Sequence, residues 1–96
     1  MITKNEILSK LIELKPILYK EFSVKEIGLF GSFIDDSYTE NSDIDILVVF
    51  ENPIGWKFFT LELYLQNIFE RKIDLVTKNA LKEQIKSHIL QQVNYV

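Results

Sequence analysis

The pattern of apolar and polar positions divides the chain into alternating helical and extended segments. From Ile7 to Phe22 apolar residues recur at roughly helical spacing, and a capping box at Thr3–Glu6 precedes them. This pattern predicts an amphipathic helix over residues 4–21. Pro16 lies inside it and removes one hydrogen bond, so we expect it to kink the helix or split it in two. Residues 24–30 then predict the first strand.

The most apolar stretch predicts a second, buried strand over residues 43–50. Six of its last seven residues are apolar, and most of them are β-branched or aromatic. A short helical turn over residues 32–37 is expected before it. Asn52 and Pro53 follow the strand as a suitable N-cap and first helical residue, which predicts a helix over residues 53–70.

The remaining residues predict one more strand and one more helix. Residues 72–76 form a third short apolar run, and Thr77 is expected to cap a last helix over residues 79–93. The order αβαβαβα predicts an α+β fold, in which helices flank a small mixed three-stranded sheet. With 96 residues, the chain is expected to form a single domain over residues 1–96.

Composition limits where the protein acts and what it binds. The sequence has no cysteine, so disulfides and thiolate metal sites are excluded and a reducing, cytoplasmic compartment is expected. No signal peptide or membrane-spanning stretch is visible. A hydrophobic content of 47% is high for so small a domain. We therefore expect a partner protein or a second copy of the chain to cover part of the apolar surface.

The negative charge is concentrated in one segment. Residues 35–51 carry six carboxylates and no base. Because such a segment repels the phosphate backbone, direct binding of nucleic acid through it is disfavoured.

Three acids on the predicted strands are candidates for a metal site. Asp43 and Asp45 are two residues apart, so they point to one face of their strand, about 7 Å apart, where they repel each other unless a cation lies between them. Asp74 is an isolated acid in an apolar run, expected to be buried and to need a partner. The alternatives are a solvent-facing acid pair and, for Asp74, a salt bridge to Lys72 or Arg71.

A glycine-serine turn is the candidate phosphate site. Gly31 permits a tight turn after the first strand, and Ser32 can cap the helical turn that follows, leaving backbone N–H groups facing outward. Such turns are common, so the pair alone indicates little. Its position gives it weight, because the acid pair begins eleven residues after Ser32.

These motifs together resemble a known family. Gly31-Ser32, Ser42-Asp43-Ile44-Asp45 and the run from Lys72 to Val76 resemble the motifs of the minimal nucleotidyltransferase (MNT) family of the DNA polymerase beta superfamily. The resemblance implies that Asp43, Asp45 and Asp74 bind two Mg²⁺ ions and that Asp74 can activate the attacking hydroxyl. It further implies that Gly31, Ser32 and Ser42 contact ATP.

The resemblance also implies a biological role. Small chains of this kind are often antitoxins paired with a HEPN toxin, and some transfer AMP from ATP to a tyrosine of that toxin. Many members carry GSxARG, whereas this chain has Asp35-Asp36 in place of Arg-Gly, so we expect weak activity until a partner supplies a base. The alternative is an inactive antitoxin that neutralises its partner by binding alone. A small-molecule adenylyltransferase is disfavoured, because nothing beyond the minimal core is left to form a substrate domain.

Overall fold

The computed structural model describes residues 2–96 and contains helices on a mixed sheet. The elements in chain order are α1 (Lys4–Phe22), β1 (Val24–Phe30), α2 (Ser32–Asp35), β2 (Ile44–Phe50), α3 (Lys57–Phe69), β3 (Ile73–Thr77), a 3₁₀ helix (Lys78–Ala80), α4 (Glu83–Gln92) and β4 (Asn94–Tyr95).

The sheet has the strand order β3-β2-β1-β4. β1 is antiparallel to both β2 and β4, whereas β2 and β3 are parallel. The predicted α+β fold is therefore confirmed. The predicted number of three strands was wrong, because Asn94–Tyr95 adds a fourth strand at the edge of the sheet. Gly28 makes room for it: a Cβ there would lie 2.7 Å from Val93 Cγ2 and 3.0 Å from the carbonyl oxygen of Asn94.

The hydrophobic core lies between one face of the sheet and two helices. Its strand residues alternate along the central strand, where Ile44, Ile46 and Val48 are fully buried. The helices contribute apolar stripes that pack on them: Ile7, Leu11, Leu14, Leu18 and Phe22 from α1, and Leu61, Leu65 and Phe69 from α3. The intervening residues of β2, Asp45 among them, point to the opposite face.

Helix α1 follows its predicted bounds closely. Thr3 is the N-cap, and its side chain accepts a hydrogen bond from the Glu6 amide at 3.2 Å. Ser23 ends the helix with a φ of 56°. Pro16 does not split the helix, so that alternative was wrong, whereas a kink stays a prediction. The proline is exposed, and the carbonyl that loses its amide partner can be hydrated there.

The two later helices start further along the chain than predicted. α3 begins at Lys57, not at Pro53, because Gly55 has a φ of 56°, which helical backbone does not allow. Thr77 precedes the 3₁₀ helix, not the last α-helix, and α4 begins only at Glu83. α4 ends at Gln92, one residue before the predicted end, and residue 94 begins β4.

Part of α3 carries exposed apolar side chains. Trp56, just before the helix, is 85% exposed, and Phe59 and Leu63 are 54% and 59% exposed. Coverage of this face by a partner or a second copy stays a prediction, as does the assignment of residues 1–96 to a single domain. Within residues 2–96, no helix is long and apolar enough to cross a membrane.

Candidate active site

Strand register brings two of the predicted acids side by side. In the parallel pair of β2 and β3, Ile44 is opposite Ile73, and Asp45 is opposite Asp74. Neighbouring strands lie about 5 Å apart, so residues in register project to the same face as close neighbours. The two carboxylates lie close enough for Asp74 to raise the pKa of Asp45.

The glycine-serine turn lies against the same acid. Phe30, the last residue of β1, pairs with Asp45, so Gly31 begins its turn beside that carboxylate. Gly31 has a φ of 77°, and a Cβ there would overlap Asp45 Oδ2 and lie 2.9 Å from Asp45 Cγ. Both the conformation and the close approach require glycine.

The amides of the turn already interact within the chain. The Gly31 N–H donates to Gln92 Oε1 at 3.1 Å, and the Ser32 amide stabilises the charged form of the Asp45 carboxylate. Ser32 is the first residue of α2 and Gly31 is its N-cap, so the expectation that Ser32 caps this helix was wrong. The helix is also shorter than predicted, because Asp36 ends it with a φ of 66°.

Asp45 is the acid most strongly perturbed by its surroundings. Partial burial raises the pKa of its carboxyl to about 6, and the neighbouring charges of Asp74 and Asp43 add to the rise. The Ser32 amide opposes it by stabilising the charged form. Asp45 is therefore a half-buried carboxylate that forms no ion pair with a basic group of residues 2–96.

The other two acids are more accessible than Asp45. Asp74 is exposed, so the expectation that it is buried was wrong; the residues on either side of it face the core, and its own side chain points away. The Asp43 carboxylate lies 3.9 Å from Lys72 Nζ, and its side chain is 43% exposed. Lys72 thus pairs with Asp43, not with Asp74 as the alternative reading had it.

Ser42 and Arg71 organise the loop between the turn and the acids. Ser42 Oγ accepts a hydrogen bond from the Thr39 amide at 2.8 Å, so this hydroxyl belongs to the loop. Its contact with ATP stays a prediction. Arg71 Nη1 donates to the Ser42 carbonyl at 2.7 Å. Sequence reasoning missed this use of Arg71 and the contact of Gln92 with Gly31, since both join residues far apart in the chain.

The two acids that replace Arg-Gly in the loop have local roles. Asp36 has a φ of 66°, which explains why glycine suits this position. The Asp35 carboxylate accepts hydrogen bonds from the amide and hydroxyl of Ser37, and these lower the pKa of Asp35. Asp35 therefore stabilises the end of α2.

The donor set fits a hard divalent cation at the edge shared by β2 and β3. Carboxylate oxygens are the ligands that Mg²⁺ prefers, and Asp45 beside Asp74 lacks a counter-charge. The set is incomplete as it stands: within residues 2–96, no three acidic, histidine or cysteine side chains are gathered closely enough to hold a metal ion. Asp43 is paired with Lys72, so a cation would have to draw it away from that lysine.

Comparison with known proteins agrees with the site. Residues 11–96 match the family described as Nucleotidyltransferase domain. Protein adenylyltransferase MntA of Thermococcus cleftensis is 44% identical over 97 residues, which cover 100% of this chain and 98% of that protein. The chain belongs to the nucleotidyltransferase domain family, as its motifs indicated, and the prediction that it is an enzyme of this class is confirmed.

Solved structures show the same fold. One, provisionally identified as a minimal nucleotidyltransferase, has a TM-score of 0.81 at 19% identity and covers 97% of this chain and 95% of its own. Another is an MNT antitoxin in complex with a tri-AMPylated HEPN toxin from Shewanella oneidensis. It has a TM-score of 0.69 at 20% identity and covers 97% of this chain and 71% of its own.

Proposed function

We propose that this nucleotidyltransferase transfers AMP from ATP to a tyrosine hydroxyl of a HEPN toxin and thereby acts as an antitoxin. The observation that carries the proposal is the placement of Asp45 beside Asp74 and against the Gly31 turn. In this arrangement the carboxylates would hold a divalent cation, and the neighbouring backbone amides would bind phosphate. The 44% identity to a protein adenylyltransferase supports the choice of reaction and of a protein substrate.

The proposed reaction forms one bond and breaks one. The tyrosine oxygen bonds to the α-phosphorus of ATP, the bond to the β-phosphate oxygen breaks, and pyrophosphate leaves while the hydroxyl proton is released. Asp43, Asp45 and Asp74 would hold two Mg²⁺ ions, which neutralise phosphate charge and activate the attacking oxygen. Asp74, exposed at the edge of the site, would accept the proton.

The turn and the loop supply binding. The amides of Gly31 and Ser32 are oriented at the start of α2, where a triphosphate can replace their internal partners. Asp35 and Asp36 add negative charge to this region, so we expect slow turnover by the isolated chain. A cationic group of the toxin would raise it.

The test combines the chain, ATP, Mg²⁺ and a purified HEPN partner, with intact-mass spectrometry of the partner. Wild type is expected to add one or more AMP units, and the double variant Asp43→Asn, Asp45→Asn none. Glu51→Gln is the matched control, since it removes an exposed acid of the same segment just after β2, at the other end of the strand from Asp45. No AMP addition by the wild type under these conditions would refute the proposed reaction.

A second candidate is neutralisation by binding alone. Two observations favour it: acids stand where the family often has Arg-Gly, and the Gly31 amide is hydrogen-bonded to Gln92. The same variants separate the two, with toxin-dependent growth arrest as the readout. If the double variant relieves growth arrest as well as wild type does, binding alone accounts for neutralisation.

A further inference from the structure

One arginine holds the loop that leads into the acid pair. Arg71 Nη1 donates to the carbonyl oxygens of Ser42 at 2.7 Å, Glu40 at 3.0 Å and Thr39 at 3.5 Å. These carbonyls lie at successive points of one loop. A single guanidinium nitrogen therefore contacts three carbonyl groups of residues 39–42.

The same guanidinium also reaches α2. Arg71 Cζ lies 5.7 Å from the centroid of the Phe33 ring, within the range of a cation–π contact. Phe33 is fully buried and stacks on Tyr38, with ring centroids 4.4 Å apart. Arg71 thus connects the helix that follows the glycine-serine turn, the loop before Asp43 and the segment before β3.

The loop has mainly local support apart from this arginine. Ser42 Oγ accepts from the Thr39 amide at 2.8 Å, and the Ser42 amide donates to the Thr39 carbonyl at 3.1 Å. Both contacts close a turn within the loop but do not attach it to the sheet. The bond from Arg71 to the Ser42 carbonyl attaches the turn to the rest of the protein one residue before Asp43.

The geometry distinguishes Arg71 from its neighbour Lys72. Lys72 Nζ lies 3.9 Å from the Asp43 carboxylate and so competes with any cation for that acid. The Nη1 donors of Arg71 face neutral carbonyls of residues 39–42, so here the group is a hydrogen-bonding clamp. Two adjacent basic residues therefore have opposite expected effects on cation binding.

We propose that Arg71 is a positioning residue, which fixes the loop at Ser42 and so holds Asp43 in line with Asp45 and Asp74 for cation binding. The inference rests on the proposed function only in assigning these acids to a divalent cation. It gives Arg71 a role outside substrate contact, through the path of the backbone into β2.

The test measures Mn²⁺ binding to the purified chain by electron paramagnetic resonance, without nucleotide or partner. Arg71→Ala is expected to weaken Mn²⁺ binding by about 10- to 100-fold, the usual effect of losing a group that orients metal ligands. Lys72→Ala is the matched control and is expected to bind Mn²⁺ at least as tightly as wild type. A purely electrostatic role predicts tighter binding for both variants, because each removes a positive charge near the acids. Equal or tighter binding by Arg71→Ala would overturn the inference.

Two further measurements separate positioning from loss of fold. Millimolar guanidinium is expected to restore part of the Mn²⁺ affinity of Arg71→Ala and to leave Lys72→Ala unchanged. If Arg71→Ala does not fold by circular dichroism, Arg71→Lys decides the question. Lysine keeps the charge but is too short to place a donor at the Nη1 position, so weaker binding is still expected, and wild-type affinity would contradict the proposal. If wild type itself binds no Mn²⁺, the proposed metal site fails as well. If wild type binds Mn²⁺ and the Arg71 variants bind it equally tightly, this inference alone fails.

Discussion

Replacing the Asp45 carboxylate with an amide should stabilise the protein at neutral pH in the absence of divalent cations. The pKa of Asp45 is raised from 3.8 to about 6, first by partial burial and then by Asp74 and Asp43. Folding therefore works against the charged form of this group. Asp45→Asn removes that charge and keeps an oxygen that can accept from the Ser32 amide.

The size of the effect follows from linkage between folding and protonation. At about 1.4 kcal/mol per pKa unit, the shift corresponds to roughly 3 kcal/mol. Because Asp45 is only half-buried, solvent screening reduces this to about 1–2 kcal/mol. For a domain of this size, 1 kcal/mol corresponds to about 4–8 °C in Tm.

The sign of the pH dependence is fixed by the order of the two pKa values. The folded-state pKa of Asp45, about 6, lies above the reference value of 3.8, so the folded state binds more protons between them. The contribution of Asp45 to stability is therefore lost as pH rises through this window. Asp45→Asn should exceed wild type in Tm at pH 7.5, and the difference should vanish toward pH 4.

The assay is thermal denaturation in chelator at several pH values. Asp35→Asn serves as the control, because hydrogen bonds from Ser37 lower the pKa of Asp35 and predict an effect of opposite sign. A lower Tm for Asp45→Asn than for wild type at pH 7.5, or a difference that does not change with pH, would refute the reasoning. Added Mg²⁺ should raise the Tm of wild type more than that of Asp45→Asn, since a cation supplies the missing counter-charge.

Three other substitutions test the turn beside this acid. Gly31→Ala should abolish AMP transfer and lower the free energy of unfolding by about 1–3 kcal/mol in chemical denaturation, because the φ of 77° and the Asp45 side chain both exclude a Cβ. Normal activity of this variant would show that the turn can relax. Asp36→Gly should tighten ATP binding in calorimetry, since it removes a negative charge. Stability should be nearly unchanged, because glycine suits the φ of 66° at this position. An unchanged Kd for ATP would exclude this charge as a cause of weak binding. Gln92→Glu should weaken ATP binding about tenfold, because it places a carboxylate against the Gly31 amide. The control Gln91→Glu changes an exposed neighbour and should not weaken binding. Equal effects of the two variants would show that only net charge matters.

The order of elements could be predicted because the apolar spacing and its causes are local. α1 and β1 match their predicted bounds to within a residue, since a capping box marks the start of α1 and a glycine-serine turn follows the end of β1. β4 could not be predicted: it is two residues long and exists because Gly28, far away in the chain, leaves space for it. The late start of α3 likewise depends on the positive φ of Gly55, whereas Asn52-Pro53 is a good but unused start signal.

The candidate residues could be proposed from the sequence, but their internal contacts could not. Strand alternation placed Asp43 and Asp45 on one face, and the isolated acid Asp74 and the glycine-serine turn were also candidates from local pattern; the family resemblance then implied their roles. The exposure of Asp74 was missed, because an acid between two core residues reads as buried even when its own side chain faces the other side of the sheet. The contacts of Gln92 and Arg71 depend on tertiary packing between distant segments and leave no local pattern.

The internal contacts give a physical reason for expecting slow turnover by the isolated chain. Asp43 pairs with Lys72, the Ser32 amide stabilises the charged Asp45 carboxylate, and the Gly31 amide donates to Gln92. A bound cation or phosphate must replace each of these partners, so only the difference between the new and the old interactions contributes to affinity. The two replacements are coupled through Asp45. A cation that attracts the Asp45 carboxylate frees the Ser32 amide for phosphate. A phosphate bound to that amide removes its stabilisation of the carboxylate, which then binds a cation more favourably. Cation and nucleotide should therefore bind more tightly together than either does alone.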